Sequence, residues 1–298
     1  MLTLFRWLSH WPLWLLHALG GALGWLSYAL SPTYRRRFNA NAQQANVDKA
    51  FSRPAVAEAG RLLMELPYLW MRPHSTPLGA RVSWDGDALI TAAHAQGRGI
   101  VFLTPHMGSF EVTAQGYAER FSNDHGPITV LYRPARKAWL RELVDTSRGR
   151  PGLATAPATL AGVRQMIRAL RRGEAVGLLP DQVPPDDMGV WAPFFGRLAY
   201  TMTLAARLAQ QTGAVLLLAW GERLPSGRGW VVHLAPFDEA LAEGACTQAE
   251  SAAAVNRAME AVIRRRPQQY LWGYDRYKTP RRVTATQSME RADENKKD

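Results

Sequence analysis

The 298-residue chain is predicted to adopt an α/β fold, a single domain whose helices flank a mostly buried mixed sheet, preceded by a hydrophobic membrane helix. Two observations predict the sheet: short apolar runs recur along the chain, and segments with helical periodicity alternate with them. A third predicts the membrane helix, since residues 11–30 lack Asp, Glu, Lys and Arg and fourteen of the twenty are apolar. We expect three parts: an anchor at 1–32, the α/β domain at 33–280 and a polar, disordered tail at 281–298.

The N-terminal segment is the first element. As a helix it is about 30 Å long, which matches a bilayer core, and four of the chain's eleven tryptophans fall within its first 25 residues. Pro32 ends the helix, and the arginines at 35–37 favour the cytoplasmic side for this flank. A cleaved secretory signal is disfavoured, because only Arg6 precedes the apolar stretch. Because Pro12 and His17 interrupt that stretch, two alternatives stay open: a spanning signal anchor, or a helix that lies in the interface or packs on the domain.

The rest of the chain alternates between helical and strand patterns. Helices are expected at 34–50, 55–71, 87–96, 109–120, 137–146 and 157–172. Strands are expected at 99–104, 127–132, 175–179, 214–220 and 230–234. Because these strands are continuously apolar, the sheet should have helices on both faces.

Charge and cysteine content narrow the function classes. With 36 Lys and Arg against 25 Asp and Glu, the formal net charge of +11 calls for an anionic partner. The basic runs at 35–37 and 264–266 are isolated from any nucleic-acid-binding motif, so we expect no nucleic-acid partner. Cys246 is the single cysteine, which excludes an internal disulfide. Without a histidine cluster, a Walker A sequence or G-x-G-x-x-G, we expect no metal and no cofactor.

The strongest candidate for chemistry is His106, in the segment His-Met-Gly-Ser-Phe-Glu directly after the predicted strand 99–104. In one straight helix, His106 and Glu111 would lie about 140° apart. At a strand-to-helix turn they can meet, so that Glu111 holds one ring nitrogen while the other faces the cleft. Such a pair is a general base. The alternative is a histidine that only caps or packs a helix end.

Two further strand ends carry polar side chains. Arg133 comes directly after the strand 127–132, where an arginine is suited to hold a phosphate or carboxylate. Asp181 and Gln182 follow the strand 175–179, at the edge where α/β proteins bind their ligands. The alternatives are a solvated charge at Arg133 and an ordinary surface crossover after the third strand.

These motifs, in this order, resemble the lysophospholipid acyltransferase superfamily and, within it, the bacterial lipid A lauroyl/myristoyl acyltransferases. His106 and Glu111 match the H-x4-D/E motif, and Arg133 in LYRP matches a strand-end arginine. Asp181 and Gln182 match the branch's DQ segment, which runs into PFFG, and PQQYLW near the C-terminus resembles its final signature. One departure is the sequence Tyr-Asp-Arg at 274–276, where many members have histidine-arginine-arginine.

The resemblance implies a glycerolipid acyltransferase-like fold and an O-acyltransferase that moves a fatty acyl chain from acyl-acyl carrier protein to a hydroxyl of a lipid A precursor. His106 would act as general base with Glu111, Arg133 would bind the acceptor, and Asp181 and Gln182 would line the site. The implied location is the bacterial inner membrane, with the catalytic domain on the cytoplasmic face against anionic lipid. The alternatives are transfer to a lysophospholipid or an amino-acid lipid, and a non-catalytic membrane-surface binding protein.

Overall fold

A seven-stranded sheet lies at the centre of the protein, which is described here from a computed structural model over residues 2–132, 149–239, 241 and 247–280. The strands are β1 (Val82–Asp85), β2 (Ile100–Leu103), β3 (Ile128–Tyr132), β4 (Leu153–Pro157), β5 (Ala175–Leu178), β6 (Gly189–Phe194), β7 (Arg197–Met202), β8 (Val215–Arg223) and β9 (Trp230–Pro236). The order across the sheet is β1-β9-β8-β2-β5-β3-β4, and β6 and β7 form a separate antiparallel hairpin.

The sheet is mixed, as predicted. The five strands from β8 to β4 run parallel, β9 joins β8 antiparallel, and β1 pairs with β9 in parallel. Strands β2 and β5 lie side by side near the middle, with every residue of both strands buried. Their register pairs Leu103 with Leu178, so the segments that follow the two strands leave the sheet at the same edge.

Helices cover both faces of the sheet. They are α1 (Leu2–Ser9), α2 (Leu13–Leu30), α3 (Pro32–Gln44), α4 (Lys49–Met71), α5 (Ala88–Ala95), α6 (Phe110–His125), α7 (Leu160–Arg171), α8 (Leu204–Thr212) and α9 (Gln248–Arg265). Alternate residues of β2 belong to different hydrophobic clusters: Phe102 packs with α5 and α6, and Val101 packs with α7, α8 and α9. Because successive strand residues point to opposite faces, these clusters are the two halves of the core.

The five predicted strands are confirmed, and two predicted helices are wrong in their extent. The helix expected at 34–50 ends at Gln44, and α4 begins at Lys49 rather than at 55. The break occurs because the Asp48 side chain accepts the Ala50 N–H at 2.7 Å and starts a new helix. The helix predicted at 137–146 and the residue Cys246 lie outside the described residues.

Helix α2 packs closely along α4. A Cβ added to Gly60 would lie 1.9 Å from the Gly20 carbonyl oxygen, and one added to Gly24 would lie 2.2 Å from the Val56 carbonyl oxygen. Leu16, also on α2, is fully buried. By length and composition, α2 is also a helix of the described chain that is apolar enough to cross a membrane.

The other side of α1 and α2 is exposed and apolar. We call it the apolar face; its members are Leu4, Trp7, Trp14, Leu19, Leu23, Trp25, Leu26 and Leu30. Pro32 does not continue α2, as predicted: α2 ends at Leu30, and Pro32 is the first residue of α3, which Ser31 caps.

Candidate functional site

His106 and Asp181 meet where β2 and β5 leave the sheet. Each residue stands three positions beyond the register pair formed by Leu103 and Leu178. The pairing continues for one more hydrogen bond, from the Thr104 N–H to the Leu178 carbonyl at 2.9 Å. Two parallel neighbouring strands therefore deliver the imidazole and the carboxylate to the same point.

The Asp181 carboxylate binds His106 twice. Its Oδ1 lies 2.7 Å from the His106 Nδ1, and its Oδ2 accepts the His106 backbone N–H at 2.9 Å. This arrangement assigns the ring proton to Nδ1, which donates to the carboxylate, and makes Nε2 the basic nitrogen. The Asp181 side chain is 1 % exposed and that of His106 is 18 % exposed. The carboxylate is therefore buried, whereas the imidazole is accessible to solvent.

The charge of Asp181 is stabilised from both sides. Burial by itself raises its pKa, but attraction to His106, the hydrogen bonds from His106 and attraction to Arg276 bring the pKa below its ordinary value of 3.8. The pKa of Tyr270, behind the carboxylate, is raised by burial and then by Asp181. Asp181 is therefore an ionised acceptor at neutral pH.

The turn at residues 106–109, the His106 turn, is held by backbone hydrogen bonds. The N–H groups of Gly108 and Ser109 donate to Gln269 at 2.9 Å and to Gly221 at 2.7 Å. Gly108 has a φ of +57°, and a Cβ there would lie 2.0 Å from the Gly221 carbonyl oxygen. Only glycine fits such a left-handed position at this distance.

An apolar cavity begins beside this turn. Near the strand ends it is lined by Thr104, Phe110, Glu111 and Leu179; it extends along the sheet beneath α6 to Ile128. The Phe110 ring also contacts the His106 ring edge-on, with centroids 5.1 Å apart. The apolar lining suits a small apolar ligand or part of a hydrocarbon chain.

The predicted site residues fall into three groups. His106 and Asp181 are brought together, with Gln182 next in the chain and half-buried. Glu111 lies in the first turn of α6 and lines the cavity, and its pairing with the imidazole stays a prediction. Arg133 lies outside the described residues.

Residue-by-residue reasoning missed the support that Tyr270 and Gln269 give from the C-terminal segment. Tyr270 bridges to Met107, and the Leu271 N–H donates to the His106 carbonyl at 3.2 Å. The sequence carries a signal for this support, because PQQYLW resembles the final signature of the family. Among the described residues, no group of three or more His, Cys, Asp or Glu side chains could hold a metal ion.

The sequence matches proteins of known activity. The family model described as bacterial lipid A biosynthesis acyltransferase matches residues 3–279. The lipid A biosynthesis palmitoleoyltransferase of Escherichia coli (strain K12) is 31% identical over 224 residues, 74% of this chain and 69% of that protein. The lauroyltransferase of the same strain is 28% identical over 222 residues, with the same coverage, and a lipid A biosynthesis acyltransferase of Haemophilus influenzae is 24% identical over 195 residues, 65% of this chain and 58% of that protein.

Proposed function

The chain belongs to the bacterial lipid A biosynthesis acyltransferase family, and on that premise we propose that it moves a fatty acyl chain from acyl-acyl carrier protein to a hydroxyl of a lipid A precursor. The observation that carries the proposal is the His106–Asp181 pair beside a cavity with an apolar lining. The pair is a base for a hydroxyl, and the cavity offers an apolar surface to a hydrocarbon chain.

The reaction is general-base catalysis by His106. Its Nε2 takes the proton of the acceptor hydroxyl as that oxygen attacks the thioester carbonyl carbon. The new C–O bond forms, the C–S bond breaks, and the imidazolium returns the proton to the leaving thiolate. Asp181 keeps the Nδ1 proton in place and stabilises the imidazolium, and general-base catalysis of this kind contributes roughly 10²–10⁴-fold. Ionised Asp181 is supported by its lowered pKa.

The other predicted site residues have roles around this pair. Glu111, at the cavity and in the first turn of α6, acts with His106 as the second carboxylate of the site. Arg133 binds a phosphate or sugar-acid group of the acceptor, and Gln182 lines the acceptor side. The N–H groups at the start of α6 stabilise the oxyanion, because a helix N-terminus favours negative charge.

The acyl chain occupies the cavity beneath α6. Ala114 and Gly177 leave space in its wall, and Trp84 and Tyr117 supply bulky side chains. The matched relatives include a palmitoleoyltransferase and a lauroyltransferase. Because these two names differ in the acyl chain, the preferred chain of this enzyme has to be measured by comparing acyl donors.

The protein docks on the cytoplasmic face of the inner membrane through its apolar face. Because α2 packs along α4, which carries Arg53, Glu58 and Glu65, a spanning α2 would bring these charges into the bilayer. An in-plane position avoids that cost and places the exposed tryptophans at the interface. Anionic headgroups then meet the basic surface.

A donor-and-acceptor panel tests the function. The purified enzyme would be given lauroyl, myristoyl and palmitoleoyl carrier-protein thioesters with a lipid A precursor, lysophosphatidate or an amino-acid lipid. We expect a product one acyl chain heavier with the lipid A precursor, detected by mass spectrometry. Transfer to lysophosphatidate or the amino-acid lipid alone would assign a different acceptor, and no transfer to any acceptor would contradict the enzyme assignment.

A further inference from the structure

A buried ion pair lies directly behind the His106 turn. Arg223, at the end of β8, donates to both oxygens of Glu65 in α4, from Nε at 2.8 Å and from Nη2 at 2.7 Å. Its Nη1 also donates to Glu58 at 2.5 Å. The side chain of Arg223 is 2 % exposed and that of Glu65 is fully buried, so the charges are screened little by water.

Arg223 also reaches the turn itself. Its Nη2 donates to the Gly108 carbonyl at 3.0 Å, while the N–H on the other side of that peptide, from Ser109, donates to Gly221. The backbone of Arg223 is fixed in turn by the Gln269 side chain, which accepts its N–H and donates to its carbonyl, both at 2.9 Å. The peptide between Gly108 and Ser109 is thus held at both its oxygen and its hydrogen.

The contacts of this ion pair extend to the N-terminal helices. Glu65 Oε2 accepts from the Trp230 indole at 3.3 Å and lies 3.2 Å from the Nε2 of His17 in α2. Burial by itself raises the pKa of Glu65, but Arg223 and then His17 lower it to about 2. Both members of the pair are therefore charged, and they connect α2 and α4 to the turn.

Stability alone gives little reason for this arrangement. Replacing a whole buried ion pair by uncharged side chains of similar volume is often neutral, whereas removing one partner is strongly destabilising. A positional role explains the pair better, because the Arg223 contact orients the peptide that leads from His106 into α6.

We propose that Arg223, held by Glu65, is a positioning residue that sets the geometry of the His106 turn for acyl transfer. Neither side chain touches the reacting atoms; they act through the Gly108 carbonyl. Because the inference rests on the proposed function, its test uses one readout that depends on activity and one that does not.

The test separates the charge pair from the contact to Gly108. Arg223→Met should lower both thermal stability and kcat, because it leaves Glu65 buried and unpaired. The double variant Glu65→Gln/Arg223→Met removes both charges, so its melting temperature should recover towards that of the wild type. Its kcat should stay at least about 10-fold lower with the KM for the donor little changed, because the turn is still released. Arg223→Lys keeps the positive charge but not the forked guanidinium. This variant should fold, and its kcat should fall by the same factor.

A matched control is the ion pair between Arg72 and Glu119, where the Arg72 side chain is likewise buried. The double variant Arg72→Met/Glu119→Gln should keep the wild-type kcat whatever happens to its melting temperature. If the Glu65→Gln/Arg223→Met variant recovers kcat together with stability, the pair is only structural and the proposal is overturned. A normal kcat in Arg223→Lys would overturn it as well.

The second readout is the Nδ1 proton of His106, followed by NMR of histidine-labelled protein and assigned with His106→Ala. A downfield signal hydrogen-bonded to Asp181 should be present in the wild type and in the Arg72→Met/Glu119→Gln control. It should shift or broaden in Glu65→Gln/Arg223→Met. An unchanged signal there would contradict the proposal even if the wild type proved to be inactive in acyl transfer.

Discussion

At the scale of single residues, the two hydrogen bonds between His106 and Asp181 define the chemistry. The Asp181 carboxylate holds the ring Nδ1 of His106 at 2.7 Å and its backbone N–H at 2.9 Å. A base held in this way loses little free energy in reaching its reactive geometry. Glu111, the carboxylate that the sequence pattern predicts for this role, lines the neighbouring cavity, and its pairing with the imidazole stays a prediction.

A pair of amide variants distinguishes the two carboxylates. Asp181→Asn should lower kcat by on the order of 10²–10⁴-fold, because an amide neither fixes the Nδ1 proton nor stabilises the imidazolium. Glu111→Gln should cost less, since the Asp181 contacts stay intact. The measurement is the rate of transfer by each purified variant, with circular dichroism as the control for folding. A larger loss in Glu111→Gln than in Asp181→Asn would make Glu111 the orienting carboxylate.

The sequence could predict the members of the site but not their pairing. His106 and Asp181 were both found from their places after apolar runs, which indicate buried strands. Their contact depends on β2 lying beside β5, although β3 and β4 come between these strands in the chain. Strand order is set by packing over the whole sheet, and no local sequence pattern records a contact between residues 75 positions apart.

At the scale of elements, the contact between α2 and α4 is set by glycines. The α4 backbone approaches α2 so closely at Gly60 that a methyl group would collide with the Gly20 carbonyl. At Gly21, in contrast, a Cβ would lie 3.5 Å from the Arg61 side chain and 3.6 Å from Ala57, which are ordinary contacts. The chain therefore provides a matched pair of positions for testing this packing.

Gly60→Ala should destabilise the protein. Overpacking costs about 1–3 kcal/mol, which exceeds the gain of about 1 kcal/mol or less that alanine brings to a helix. Gly21→Ala should be neutral or slightly stabilising, because alanine raises the helix propensity there and its methyl group meets no clash. Thermal unfolding in detergent measures both. Equal stability of the two variants would contradict the close packing of α2 on α4.

Helix α6 forms a wall of the apolar cavity, and Ala114 is one of its small lining residues. Ala114→Phe should fill part of the cavity and shift the preference towards shorter acyl donors, with a stability cost of about 1–3 kcal/mol. The measurement is the ratio of kcat/KM for lauroyl and palmitoleoyl thioesters. The lauroyl reaction serves as the internal control for folding, and an unchanged ratio would place the acyl chain elsewhere.

Strands are predicted where the sequence is predominantly apolar. The five predicted strands are apolar runs, whereas β1 alternates between half-buried and exposed and β4 reads Leu-Ala-Thr-Ala-Pro. Helix α9 was missed although Thr247 and Glu250 form a capping box, a local signal that the sequence does contain. The strands β1 and β4 thus have weak sequence patterns, whereas α9 has a clear N-terminal signal.

At the scale of the whole molecule, the net charge of +11 and the exposed apolar face are the features on which the proposed membrane docking rests. The face is formed by α1 and α2, which join the core through α4. Each Lys or Arg near an anionic surface adds about 1 kcal/mol to binding, and each fully buried tryptophan adds roughly 1.5–3 kcal/mol, as other large apolar side chains do.

Removing tryptophans from the apolar face should release the protein from vesicles. Trp7→Ser/Trp25→Ser should weaken binding to phosphatidylglycerol vesicles by about 10-fold or more, since each change loses apolar burial. The matched control is Leu160→Ser/Leu198→Ser, two exposed leucines on α7 and β7. Flotation at two salt concentrations separates the apolar part from the charge part. Equal loss in the control, or none in the tryptophan variant, would exclude the apolar face as the docking surface.

The most direct test of the central claim, that His106 is the general base of acyl transfer, is the rate of a single variant. Purified His106→Ala and the wild type would be given the same acyl-carrier-protein thioester and lipid A precursor, and the product would be quantified by mass spectrometry. We expect the wild type to transfer the chain and the folded variant to be slower by at least about 10²-fold. Near-normal transfer by His106→Ala would contradict the account.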